Sequence, residues 1–351
     1  MPTDPASLNE PDHLAEAIKV VAHGGTLNRL QSAKTFEVIM SGEGSAVRIA
    51  GLLLAMHVRG ETVDEIAGAA RVLRDKAVSV SAPPGAIDTC GTGGDAKGTH
   101  NISTCSAFVF AGAGVPVAKH GNKSISSRSG SADVLRALGV NVESTPETIE
   151  RCIAECGLGF MFAPAHHAAM RHVASVRGEL GVRTIFNLLG PLANPASTKY
   201  QVIGVFDGAW VEPLANVLGI LGVKRAWVVH GEDGLDELTT TTYSNVAVLD
   251  DGRVSTFRIS PSNAELPIAK PEDLVGGDAA ENAAHIRAVL NGNAGPVRDI
   301  VLFNAAAALL VAGKAKSLRE GVALAAQSID NGNAVRVLEA LVDLTNEAGQ
   351  A

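Results

Sequence analysis

The stretch AIDTCGTGGDAKGTHNISTCSAFVFAGAGVPVAKHG, residues 86–121, decides how the rest of the chain is read. AIDTC predicts a short strand, ISTCSAFVFAGAG a helix of small residues, and VPVAKHG a second strand. Strand, loop, helix and strand in that order make the βαβ unit of a parallel sheet. The loop after the first strand lacks the G-x-G-x-x-G spacing of a dinucleotide fold, and no G-K-[ST] closes it as in a Walker A loop. Gly91, Gly93 and Gly94 let the backbone approach a ligand closely. Thr99, Asn101, Ser103 and Thr104 place donors at the helix start, where free amides and the helix dipole attract anions. The same residues also suit a plain turn before a helix capped by Asn101. On this stretch alone both readings stand.

The whole chain has 351 residues, 46% hydrophobic and 19% charged, which supplies a sizeable core for one large or two ordinary domains. Aromatics make up only 4%, and 37 residues are glycine, a mix that favours packed helices and an α/β sheet over a β-sandwich. The net charge of −8 argues against broad contact with nucleic acid or anionic membranes, so any phosphate site must be local. Cys90, Cys105, Cys152 and Cys156 form no C-x-x-C pair and read as small buried hydrophobes. The N-terminus shows no signal peptide. The longest apolar run, IVLFNAAAALLVAG at 300–313, is too short to span a bilayer and predicts a buried helix. The expectation is a cytoplasmic enzyme.

Residues 1–11 predict a loose tail, and 12 to about 80 are helical throughout, with Asp12 as a plausible first cap. SAPPG at 81–85 breaks that run. Further strands are expected at 199–206 and 225–231, with a strand pair in 245–260. Helices are expected at about 132–138, 146–156, 165–180 and 211–221 and over most of the last 75 residues. The fold expectation is a small all-helical domain plus a larger α/β domain with a central, mostly parallel mixed sheet. The helical domain is assigned 12–83, with 175–198 contributing helices and a hinge; the α/β domain is assigned 84–174 and 199–351.

Three more stretches carry chemistry. VAKHGNKSISSRSGSADVL, 117–135, follows a strand with cations and hydroxyls, as a phosphate or diphosphate requires. Two such loops point to the carboxyl edge of the sheet, where α/β folds bind ligands. HHAAMRHVASVRGELGVRTIFNLLGPLANP, 166–195, carries Arg171, Arg177 and Arg183 at six-residue spacing, so they do not share a helix face, and its Pro/Gly turn must end a helix. HGEDGLDELTTTT, 230–242, clusters Asp233, Asp236 and Glu237 after a strand; carboxylates beside a diphosphate suit Mg²⁺, although alone they read as a solvated turn.

Taken together, GTGGD with T-x-NIST, KHGN with SS and GSADVL, RTIFNLLGPLANP and GLDELT resemble the anthranilate phosphoribosyltransferase family from about residue 12 to the end. The resemblance implies transfer of the 5-phosphoribosyl group from phosphoribosyl diphosphate to anthranilate, giving N-(5-phosphoribosyl)anthranilate and diphosphate in tryptophan biosynthesis. It implies a Mg²⁺-dependent homodimer. It assigns phosphoribosyl diphosphate to Gly91, Gly94, Asp95, Thr99, Asn101, Ile102, Ser103 and Thr104. The same ligand falls to Lys119, His120, Gly121, Asn122, Lys123, Ser124, Ile125, Ser126, Ser127 and Ser131. It assigns anthranilate to Gly91, Asn122, Arg177 and His120, and Mg²⁺ to Ser103, Asp236 and Glu237, with no general base. Ala168 and Ser175 stand where the family commonly has proline, which puts the helix carrying Arg177 in question. The rival enzyme is a pyrimidine nucleoside phosphorylase of the same fold, and the non-enzymatic rival a nucleic-acid-binding relative. The KHGN run and the Asp236–Glu237 pair speak against the first, and the same pair with the net charge of −8 against the second.

Overall fold

The computed structural model describes residues 12–94, 97–124 and 128–347. In chain order, α1 (His13–Ala22), α2 (Arg29–Met40), α3 (Ala46–Arg59) and α4 (Val63–Asp75) precede β1 (Ile87–Gly91), α5 (Ile102–Gly112) and β2 (Val117–Gly121). Then come α6 (Ser131–Ala137), α7 (Pro146–Glu155), β3 (Leu158–Phe162), α8 (Ala163–His166), α9 (Arg171–Leu180) and α10 (Phe186–Leu192). The chain continues through β4 (Tyr200–Gly204), α11 (Val211–Ile220), β5 (Arg225–Gly231), β6 (Ser244–Asp250) and β7 (Arg253–Ile259). It ends in α12 (Ala279–Leu290), α13 (Pro296–Val311), α14 (Leu318–Asp330) and α15 (Asn333–Glu347).

The chain divides into two compact units. The first is helical and joins the described residues up to Lys76 to Ala169–Leu189. Its helices start on side-chain caps: Asp12 accepts the Ala15 amide at 3.0 Å, and Asn28 and Thr62 form capping boxes with Gln31 and Glu65. Glu65 does more than cap. Fully buried, it accepts the amides of Leu27 and Thr62, each at 2.9 Å, and pairs with Arg59. A single carboxylate therefore fastens the α1–α2 loop, the start of α4 and the end of α3.

The second unit holds the sheet, in the order β3-β2-β1-β4-β5-β6-β7. The first five strands are parallel, and β6 and β7 add antiparallel neighbours. The chain moves outward from β1 to β2 and β3, then returns to the other side of β1 with β4 and continues to β5. The direction of winding thus reverses between β1 and β4, and such a switch point opens a crevice at the carboxyl ends of the strands. Helix α5 packs against α13, α14 and α15, and α11 against β5 and β6. Close approach is allowed by small residues: Ala305, Ala306, Ala307 and Ala308 of α13 are all buried. Phe108, Phe110 and Phe303 fill the same core.

Helices in the first 80 residues, the strands at 199–206 and 225–231 and the pair in 245–260 appear as expected. Three features differ. The strand β3, LGFMF, was not expected; all five residues are buried, so it has no polar alternation to mark it. The single helix expected over 165–180 is broken: His167 leaves helical geometry at φ −118°, ψ 58°, and a 3₁₀ turn at Ala168–Met170 separates α8 from α9. Ser175 sits exposed inside an unbroken α9. Finally, α10 runs through Pro191 and ends only at Leu192. The four cysteines are free, Cys105 and Cys152 buried and the other two half-buried. No helix among the described residues is long and apolar enough to cross a membrane.

Removing the Glu65 carboxylate leaves the buried Leu27 amide and the half-buried Thr62 amide without their acceptor and strips the half-buried Arg59 guanidinium of its counter-charge. Glu65→Ala is expected to cost the helical unit about 3 to 5 kcal/mol. Urea unfolding followed by a probe in residues 12–75 checks this, and a midpoint equal to wild type would deny Glu65 that role.

Candidate functional site

The winding reversal brings Gly91 at the end of β1 and Gly204 at the end of β4 onto one rung of the sheet. The Asp236 segment lies directly over that rung. A Cβ on Gly204 would collide with the Asp236 carbonyl, and one on Gly91 with the Asp236 carboxylate. Gly204 therefore needs glycine for close approach to the Asp236 backbone, and a side chain at Gly91 would displace the Asp236 carboxylate; neither position has a left-handed φ. Beyond the rung the two strands stay tied, Thr92 N–H donating to Gly204 O at 2.9 Å and Phe206 N–H to Thr92 Oγ1 at 3.0 Å.

The acidic pair bridges the glycine loop and the helix after it. Asp236 Oδ2 accepts the Gly93 amide at 2.8 Å, and Glu237 Oε1 accepts the Ser103 amide in the first turn of α5 at 3.1 Å. Burial pushes the Glu237 carboxyl up to about 8, with the adjacent Asp236 adding to the rise. Asp233, by contrast, is occupied in shaping the loop: its Oδ2 accepts the hydroxyls of Thr239 and Thr241, each at 2.6 Å.

Beneath the loop lies Lys119 on β2, 2% exposed, its ammonium donating to Thr89 O. Burial draws its pKa down, and the neighbouring charges of Asp88, Cys90 and Glu237 resist. Asp88 is itself fully buried and accepts the His120 amide at 3.0 Å. His120 packs edge-to-face on His167, ring centroids 5.1 Å apart, and its Nε2 has no hydrogen-bond partner among the described residues. Burial foremost, then His167 and His166, holds it well below its ordinary pKa and hence neutral. Asn194, in the turn after α10, donates to Ala118 O on β2 at 2.9 Å.

Asn101 precedes α5 but makes no side-chain cap. Its amide donates instead to Ser129 O at 3.2 Å and accepts from Asn282 of α12 at 3.0 Å. It thus joins the glycine loop to the end of the second loop. The segment before α12 pairs with the glycine loop as well, through a Thr99–Val275 bridge and Gly276 N–H to Gly98 O at 2.8 Å. The second loop is closed at its base by Asp133, whose Oδ2 accepts the amides of Ser124 and Gly130, each at 2.9 Å. Ser131 Oγ donates to Asn122 O at 3.1 Å, while the side chains of Asn122 and Lys123 stand exposed. Ile102 and Thr104 are buried, Gly94 and Gly121 half-buried.

Sheet edge, glycine loop, α5 N-terminus, second loop and acidic pair therefore converge in the second unit. Asp95, Ile125, Ser126 and Ser127 lie outside the described residues. Arg177 belongs to the helical unit, on α9, where its guanidinium lies 5.4 Å from the centre of the Phe186 ring and burial lowers its pKa. Sequence reasoning passed over Gly204, Asp88, Asp133 and Asn282. Only Gly204 carries a local signal, as a glycine ending an apolar strand.

For Mg²⁺, the donors present are oxygens: the two carboxylates and the Ser103 hydroxyl. Among the described residues no three His, Cys, Asp or Glu side chains converge as a closed cage. Two carboxylates with open positions fit a hard cation that keeps waters and takes further oxygens from a phosphate ligand.

Residues 83–335 match the family described as "Glycosyl transferase family, a/b domain", and residues 15–77 match "Glycosyl transferase family, helical bundle domain". The anthranilate phosphoribosyltransferase of Azorhizobium caulinodans is 58% identical over 325 residues, 93% of this chain and 94% of that protein. That of Rhodospirillum rubrum is 56% identical over 342 residues, 97% of this chain and 98% of its own. The crystal structure of anthranilate phosphoribosyltransferase from Thermus thermophilus superposes with TM-score 0.90 at 45% identity, covering 94% of this chain and 99% of that one. The Saccharomyces cerevisiae enzyme, solved in complex with PRPP and Mg, gives 0.87 at 26% identity, covering 96% and 99%.

Gly204→Ala forces the Asp236 backbone away from the sheet. The expected outcome is a loss of about 3 kcal/mol, the upper end of what overpacking costs, with faster hydrogen exchange at the Gly93 amide. Wild-type protection at Gly93 would show that the rung does not hold the acidic pair.

Proposed function

The chain belongs to the anthranilate phosphoribosyltransferase family, and we propose that it transfers the 5-phosphoribosyl group from phosphoribosyl diphosphate to anthranilate in tryptophan biosynthesis. The observation that carries the reading is the acidic pair set over the Gly91–Gly204 rung, with the loop amides and the α5 N-terminus facing the same crevice. The phosphorylase alternative is not favoured, given family identities above one half along nearly the whole chain.

In this reading the glycine loop from Gly91 to Thr99 and the α5 start from Asn101 to Thr104 receive the diphosphate. The loop from Lys119 to Ser127 covers it, and Ser131 adds a contact. As diphosphate leaves, C1 of the ribose becomes cation-like and negative charge gathers on the departing oxygens. The loop amides and the α5 dipole oppose that charge without reorganising. Lys119 contributes its field from below, and its burial strengthens the effect by keeping water away. Asp236, Glu237 and Ser103 would hold Mg²⁺, which would supply positive charge to the diphosphate oxygens.

Anthranilate presents a weakly basic, neutral amine, so the acceptor requires placement beside C1 and no general base. We assign its carboxylate to Arg177, whose fork of donors matches two carboxylate oxygens. Gly91, Asn122 and neutral His120 complete the assignment. Cytoplasmic location belongs to the same proposal.

The proposal includes a homodimer. On α3, Val47 is 83% exposed, Leu54 43% and Val58 80%, and no charged residue separates them on that face. Gly51 lies between them, and a Cβ there would meet nothing within 4 Å, so this chain's own packing does not require glycine. An exposed mid-helix glycine costs roughly 1 kcal/mol relative to alanine. Antiparallel pairing with α3 of a second copy sets Val47 against Val58 and Leu54 into the hollow at Gly51, a self-complementary arrangement as two-fold symmetry demands. Gly51→Glu should leave the monomer folded and reduce the sedimenting species from two chains to one. Wild-type protein sedimenting as one chain would remove the dimer.

Loss of anthranilate fluorescence on mixing with phosphoribosyl diphosphate and Mg²⁺ tests the activity, and folded protein that leaves the signal unchanged would overturn it. In that assay Arg177→Ala is expected to raise KM for anthranilate roughly thirtyfold, the loss of about 2 kcal/mol from a charged hydrogen bond. KM for phosphoribosyl diphosphate should barely move; equal rises in both would take the carboxylate away from Arg177.

A further inference from the structure

The acidic pair is held from the sheet side by the glycine rung, and a second grip comes from α13. Asn304 is 4% exposed in a helix whose neighbouring side chains are Phe303, Ala305, Ala306 and Ala307, all buried. A polar amide in such surroundings is costly unless its groups are bonded. Each of them is: Oδ1 accepts the Leu238 amide at 3.0 Å, and Nδ2 donates to Leu238 O and to Ile300 O, both at 2.9 Å. The side chain thus engages both main-chain polar groups of the residue that follows Glu237. One turn earlier on the same helix, Ile300 packs with Leu235, the residue that precedes Asp236, together with Ile102 and Leu274. Helix α13 therefore grips the 235–238 segment at both ends, and the two carboxylates lie between the grips.

We propose that Asn304 is a positioning residue for Asp236 and Glu237. By pinning Leu238 in both directions it fixes how far the carboxylates stand over the Gly91–Gly204 rung, and thereby how well they hold the divalent cation. The proposal rests on the assignment of these carboxylates to the cation made above. An aliphatic side chain of the same size would fill the space equally well, so packing alone does not explain an amide here. What the amide adds is direction, since Leu238 N–H and C=O have to be met at two fixed points.

The test compares Asn304→Leu, Asn304→Ser and Asp236→Asn with wild type, and uses Ser328→Ala as a control. Ser328 is likewise buried and donates to Val109 O at 2.7 Å, in the same helical layer but away from the acidic pair. Asn304→Leu is expected to raise the Mg²⁺ concentration for half-maximal transfer roughly tenfold, as loss of a group orienting metal ligands does. Its KM for anthranilate should stay within about twofold of wild type, because only the cation side of the site is disturbed. Amide hydrogen exchange, read without substrate or metal, should quicken at Glu237 and Leu238. Ser328→Ala should lower the thermal midpoint and leave the Mg²⁺ profile in place. Folded Asn304→Leu with a wild-type Mg²⁺ profile and unchanged exchange overturns the proposal. If that variant does not fold, Asn304→Ser decides on the same two readouts. Should Asp236→Asn itself leave the Mg²⁺ profile unmoved, the cation assignment has failed, and the grip is judged on exchange at Leu238 alone.

Discussion

Two strands that meet in the middle of a parallel sheet both end in glycine on the same rung, and nothing larger than hydrogen fits between that rung and Asp236. Much of the site follows from this one steric allowance. It lets an acidic loop, which begins after β5, lie back across the ends of β1 and β4. From there Asp236 reaches Gly93 and Glu237 reaches the first turn of α5. Without that close approach the carboxylates would stand away from the crevice, and the Gly93 amide would lose the partner that sets its direction. The winding reversal between β1 and β4 supplies the crevice, and the glycines supply its depth.

The electrostatics follow from the same crowding. A chain of net charge −8 must concentrate positive potential locally if it is to hold a diphosphate. The groups it offers there are main-chain amides, a helix N-terminus and one buried lysine. Lys119 sits under the loop among Asp88, Cys90 and Glu237 rather than extending into solvent. In that place it offsets carboxylates whose burial would otherwise be costly, Glu237 among them, which burial first and Asp236 second push up to about 8. A surface patch of lysines would have achieved attraction with less selectivity and would have been screened by salt.

The sequence carried the architecture well because hydrophobic rhythm and glycine punctuation are local signals. The βαβ reading of 86–121, the helical first 80 residues and the late strand pair all come from such signals. β3 escaped because five consecutively buried residues have no period, and the break at His167 because no proline or glycine marks it. The loops stood out through their composition as candidates for a phosphate ligand. The residues that hold those loops were not, since each acts from far along the chain. Asp133 looks like an ordinary helix-start acid, Asn282 like a helix-surface amide, and Gly204 like the end of a strand. Asn101 is instructive in another way: its position and residue type both say cap, yet its side chain is spent on Ser129 and Asn282. Local chemistry identified the candidate, and a longer-range bond decided its use.

The division of the chain has a consequence for synthesis. Helices α1 to α4 emerge first, but α9, which packs on α2 and α3, arrives only after residues 77–168. Likewise β1 emerges well before β4, its neighbour on the far side of the switch point, with α5 to α10 in between. Both closures join distant segments, which makes them slow compared with helix formation. On the ribosome the helical unit is therefore left open along one side until α9 has been made, and the central pair of strands unzipped until β4 has been made. The glycine rung cannot form before β4 has been made, and the crevice above it takes shape only as the sheet closes.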